Sequence, residues 1–64
     1  MSASWTARQP QKPGWYVLEF DEGERFVVAL AFQDENATFR LEDQNTKGYI
    51  SDPVSRHLCI PSPP

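Results

Sequence analysis

The chain has 64 residues, a net charge of −3, one cysteine and one histidine. A domain of this size buries only about 60% of the surface its unfolded chain exposes, which predicts one compact core with little room for a substrate cavity. Cys59 alone excludes an internal disulfide, Cys59 with His57 cannot by themselves fill a four-ligand zinc site, and no run of ~18 apolar residues exists to cross a membrane.

The opening stretch, MSASWTARQPQKPG, lacks the apolar segment of a secretory leader and reads as an arm over residues 1–13. With the lone thiol it predicts a reduced, cytoplasmic protein of a single domain, 1–64. Three strands are then expected at Trp15 to Phe20, Arg25 to Phe32 and Thr38 to Glu42. All three are rich in β-branched and aromatic residues and are separated by turn-forming stretches.

For the first hairpin, Asp21-Glu22-Gly23 suits a three-residue loop with Gly23 in the left-handed region. That loop would set Phe20 opposite Glu24, Leu18 opposite Phe26 and Tyr16 opposite Val28. A two-residue Glu22-Gly23 turn would instead put Phe20 beside Arg25 and split the apolar set across both faces, so the bulged loop is preferred. For the second hairpin, a four-residue Asp34–Ala37 connection or a two-residue Glu35-Asn36 one places Phe32 opposite Phe39 and Leu30 opposite Leu41.

The expected inner face is therefore Tyr16, Leu18, Phe20, Phe26, Val28, Leu30, Phe32, Phe39 and Leu41. The other face carries Trp15, Val17, Glu19, Arg25, Val27, Ala29, Ala31, Thr38, Arg40 and Glu42, with Glu19 placed to pair with Arg25. Because that second face is only half polar, it needs a cover.

The remainder predicts a short strand at Tyr49 to Ser51, a turn at Asp52-Pro53 and a last strand around Ser55 to Ile60. This tail could close or cap the sheet, and Trp5 is a second candidate lid. The Pro-rich end, residues 61–64, lacks amide donors and blunts an edge; it also formally satisfies P-x-x-P, a docking mode uncommon in bacteria. No helical periodicity and no repeat appears. The fold class expected is all-β, a small twisted antiparallel sheet or SH3-like barrel of four to five strands.

An early tryptophan (Trp5), the entry strand carrying Pro13, Gly14, Tyr16, Val17 and Leu18, the central aromatic Phe39 and the finish V-S-R-H-L-C-I-P-S-P-P together resemble a family of small phage and prophage proteins of unknown function. Members of that family typically end in something like V-T-H-W-M-P-L-P-x-P-P. The likeness spans nearly the whole chain but is carried by few residues. His57, Pro61, Pro63 and Pro64 match, whereas Leu58 stands where the family tryptophan usually does and the tail is shorter. The resemblance implies a bacteriophage accessory protein in a bacterial cytoplasm and brings no reaction with it.

Candidate sites follow from residue chemistry. His57 and Cys59 share a strand face, which suggests a nucleophile and base or a metal pair, but no partner acid or oxyanion turn accompanies them. They read better as a packed thiol and a backbone-satisfied histidine, so neither an enzyme nor a cofactor is expected. Between Glu19 and Asp43, eight acids face two arginines, which excludes a basic nucleic-acid footprint.

Those acids pose a different possibility. Asp21, Glu22, Glu24, Asp34, Glu35, Glu42 and Asp43 could form an acidic surface, and Glu42 and Asp43 are expected to return toward the first turn. A DNA mimic would need them in an ordered row. Alternatively, Trp15, Val17, Glu19, Arg25, Val27 and Arg40 supply an apolar patch with a charged rim, the composition of a protein contact, unless the last strand covers it.

The leading expectation is a non-enzymatic accessory protein that binds a host bacterial protein and modulates or inhibits it. The alternatives are an acidic DNA-mimic inhibitor of a host nuclease, polymerase or topoisomerase, and a small virion or assembly protein. No direct nucleic-acid or membrane partner is expected, and the protein should be a monomer or homodimer.

Overall fold

Alternating β-branched and aromatic runs fold here into strands, with no helix among the described residues. The computed structural model describes residues 4–22 and 25–61, and in it five strands form one fully antiparallel sheet. These are β1 (Thr6–Ala7), β2 (Gly14–Phe20), β3 (Phe26–Gln33), β4 (Phe39–Asp43) and β5 (Val54–Ile60), in the spatial order β1-β5-β2-β3-β4. The edges β1 and β4 do not meet, so of the two expected forms the open sheet is adopted and the SH3-like barrel is not.

The register corrects the expected one by a single residue in both hairpins. Leu18 pairs with Val27 and Tyr16 with Ala29, while Phe26 pairs with Glu19 and so lies on the face opposite Leu18. The Phe20 amide reaches the Arg25 carbonyl, which is the pairing that a Glu22-Gly23 turn implied. Gly23 and Glu24 lie outside the described residues, and so does the expected left-handed Gly23.

In the second hairpin Phe32 pairs with Arg40 and Ala31 with Leu41, because the loop has three residues rather than two or four. The Ala37 amide bonds to the Asp34 carbonyl and the Asp34 amide to the Thr38 carbonyl, each at 2.9 Å, with Ala37 left-handed at φ 61°. This is the bulged loop expected of the first hairpin, met here with alanine where glycine is favoured.

The one-residue shift turns every β3 side chain over. The core consists of Tyr16, Leu18 and Phe20 from β2, the small Ala29 and Ala31 from β3, and Leu41 from β4, with Val27, Phe39, Ile50 and Val54 packed against it. Phe26, Val28, Leu30 and Phe32, expected inside, face outward. Volume explains the choice: the arm crosses the inner face with Pro10 fully buried, so the middle strand must present methyl groups there rather than large side chains.

Polar clamps hold the arm down. Tyr16 donates its hydroxyl to the Lys12 carbonyl (2.9 Å), and His57 Nδ1 meets the Arg8 carbonyl at 2.7 Å. Burial, and to a lesser degree nearby Cys59, pushes the Tyr16 hydroxyl above its ordinary value of 10.0, keeping it a donor. The arm then enters β2 through Gly14 at φ 152°, a backbone setting that favours glycine.

The C-terminal segment departs from expectation in two ways. Tyr49 makes only an isolated bridge to Glu42 rather than opening a strand, and β5 neither caps nor closes the sheet but lies in its plane beside β2. A bulge after Glu19 leaves Glu19 opposite Arg56 and Phe20 opposite Val54. Ser62, Pro63 and Pro64 lie outside the described residues, and with them most of the Pro-rich tail.

Two substitutions test this packing. Ala37→Gly removes a left-handed alanine and should raise unfolding stability by about 0.5–1 kcal/mol, read from the urea midpoint at constant slope. Ala29→Leu should overpack the inner face and cost about 1–3 kcal/mol; a neutral result would place Ala29 outside.

Candidate functional site

The outer face of the sheet is where side chains are least covered. Its rungs can be read across the strands: Ile60, Trp15, Leu30 and Glu42 align, then Leu58, Val17 and Val28, then Ala7, Arg56, Glu19 and Phe26. Two adjacent apolar rungs thus make a block at the centre of three neighbouring strands. Aromatic residues flank it: Trp5 packs on Phe26 at 6.0 Å between ring centroids, and Phe32 lies 6.2 Å from Tyr49. Phe26 is 52% exposed, Tyr49 58% and Trp5 36%, whereas the block itself is half-buried by its own neighbours.

Charges frame this block in fixed positions. Arg56 Nε donates to Glu19, and the Arg56 guanidinium lies 4.4 Å over the Trp5 ring. At the opposite corner Arg40 donates to Asp34 at 3.0 Å and stacks 4.9 Å over Tyr49. Stacked and paired in this way, both guanidiniums are held flat rather than projecting freely.

Of the six residues expected in the contact patch, Trp15, Val17, Glu19 and Arg40 share this face. Val27 and Arg25 do not. Val27 pairs with Leu18 toward the core, and Arg25 stacks 4.5 Å over the Phe20 ring while bonding Glu22 (3.1 Å) and Asp52 (3.5 Å). The expected Glu19–Arg25 pair is replaced by Glu19–Arg56 because β5, unplaced from sequence, takes the other side of β2. Their positions are filled by Val28, Leu30, Leu58 and Ile60, residues that apolar alternation alone assigned to the interior or to a cover.

Among the described residues the acidic set does not draw into a row. Asp43 pairs with Ala29, so β4 stops short of the first turn, and Asp43 is turned inward, only 8% exposed, where it accepts from the Asn45 amide at 2.7 Å. Asp34 accepts from the Asn36 and Thr38 amides at 2.9 Å each, and Glu42 accepts from Gln44 at 3.1 Å. Glu22 is paired with Arg25; Asp21 and Glu35 are exposed, and Glu24 lies outside the described residues.

The His57–Cys59 face holds a histidine tied to the Arg8 carbonyl and edge-on to the Tyr16 ring at 5.2 Å. Cys59 is exposed, which corrects the expected packed thiol. Among the described residues no three of His, Cys, Asp and Glu converge to hold a metal ion.

No family model, curated protein or solved structure matches this chain.

Asp34 also supplies a measurable pH dependence. The Thr38 amide first, and then the Arg40 guanidinium, hold its carboxyl below the ordinary value of 3.8. A folded-state value below the unfolded one adds stability that is complete above the unfolded value and fades as pH falls through the folded one. Melting temperatures of the protein and Asp34→Asn should therefore differ at neutral pH and converge in strong acid. A gap independent of pH would contradict the carboxylate's role.

Proposed function

We propose that this protein is a non-enzymatic binding module of the phage accessory kind, acting in a bacterial cytoplasm, which lays its Trp15 face on an apolar patch of a host protein and modulates or inhibits that protein by occlusion. The observation that carries this reading is the in-plane position of β5. Instead of covering Trp15, the last strand extends the same surface with Leu58 and Ile60. A contiguous apolar patch rimmed by paired charges, on a domain this small, is what a docking surface requires.

The DNA-mimic alternative has weaker support. Asp34 and Asp43 are engaged in capping their own turns, and Glu19 and Glu22 are engaged with arginines. The virion or homodimer alternative would pair an exposed edge strand, β1 or β4, with that of a second copy.

The test is capture of a partner from bacterial lysate by the immobilised protein, repeated with Trp15→Ala and Val28→Lys variants whose fold is checked by circular dichroism. Loss of a central aromatic anchor should weaken capture by about 30-fold or more, while raising salt to 0.5 M should change it little. Steep salt weakening with competition by duplex DNA would favour mimicry. Concentration-dependent self-association in size-exclusion chromatography without any host ligand, retained in Val28→Lys, would favour the homodimer.

A further inference from the structure

The opposite face of the sheet holds a second feature with a different chemistry. Where the arm arches from β1 back toward β2, it encloses an open cavity of about 330 Å³. Arg8, Gln9, Gln11 and Lys12 line it from the arm, and Tyr16 and His57 form its sheet side. Nine of the 64 residues are acidic, yet none of those among the described residues lines this cavity.

Its two cations are also set apart from the other arginines. Arg25, Arg40 and Arg56 each meet a carboxylate, whereas among the described residues Arg8 and Lys12 join no ion pair. In a protein of net charge −3, an acid-free hollow with two such cations is a local reversal of sign.

The walls are held in place without a ligand. The Arg8 amide donates to the Ser55 carbonyl at 2.7 Å, and the Arg8 carbonyl accepts from His57 Nδ1, fixing this residue in the left-handed region at φ 73°. Because Nδ1 must carry the proton donated to that carbonyl, Nε2 is left as the ring's uncommitted polar atom. The Tyr16 and His57 rings, crossed at 86°, give an aromatic floor.

We propose that this cavity is a binding site for a small organic anion, one carboxylate or phosphoryl group on an apolar body, with Arg8 and Lys12 taking the charge and the Tyr16–His57 floor taking the body. Guanidinium and ammonium groups provide charge-assisted donors for either oxyanion, and the glutamine amides add neutral ones. A bare inorganic ion would use only half of the site. The proposal is independent of the Trp15 face, which lies on the other side of the sheet.

The test is titration of the full chain, followed by amide and aromatic NMR shifts, with phenyl phosphate, benzoate, inorganic phosphate and uncharged benzyl alcohol. Phenyl phosphate or benzoate should give saturable shifts confined to residues 6–12, Tyr16 and His57, and which of the two binds more tightly identifies the preferred oxyanion. Inorganic phosphate and benzyl alcohol should bind at least about tenfold more weakly.

The double variant Arg8→Gln, Lys12→Gln keeps the backbone bonds of the arm and should lose at least about tenfold in affinity, with an unchanged melting temperature. The proposal is overturned by shifts that do not saturate or that scatter to Lys47 and other surface cations. It is equally overturned by benzyl alcohol or inorganic phosphate matching phenyl phosphate, or by unchanged affinity in the folded double variant.

Discussion

The room available beneath the arm is the constraint on which the rest of this structure depends. Pro10 is driven fully into the inner face, held there by the Tyr16 and His57 bonds to the arm carbonyls. The small Ala29 and Ala31 suit such a cover, so β3 turns them inward together with Val27, and Phe26, Val28, Leu30 and Phe32 face outward. Once β3 is set, pleating dictates the facing of both neighbouring strands. The apolar outer surface is therefore a result of how the inner one is packed.

The strands themselves were legible because each is a dense run of β-formers between turn residues, and β2, β3, β4 and β5 lie within a residue or two of where they are expected. Register was not. Counting apolar residues per face assumes one greasy side, whereas β3 is apolar on both and its alternation is one of size: Phe26, Val28, Leu30 and Phe32 against Val27, Ala29 and Ala31. That signal was present in the sequence, but it acquires meaning only when the arm is known to cross the sheet. β1 is two residues long and carries no alternation, so no local pattern marks it.

The candidate site was legible in the same partial way. Trp15 and Val17 stand out as apolar residues on a strand whose other side is already filled, and that inference survives the change in register. Their expected neighbours do not: on one side the shifted register brings Val28 and Leu30 of β3, and on the other Leu58 and Ile60 come from β5, which pairs with β2 across about forty residues of chain at ~3.8 Å per step, beyond the reach of any local rule. The hollow beneath the arm is a stronger case. Arg8 and Lys12 are two ordinary cations in a proline-spaced segment until a histidine from the far end of the chain meets them.

The order β1-β5-β2 has a bearing on how the molecule comes together. The last strand in chain order occupies an interior slot, between the first two, so the sheet cannot be laid down progressively from one end. Until Val54–Ile60 arrives, β2 has a bare edge and β1 has no neighbour at all. Hairpins formed by local turns alone would leave these flanks open, and the loop-closure entropy of a long connection must be met before the sheet is complete. Dominated by non-local pairings, such a topology is expected among the slower folders of its size class.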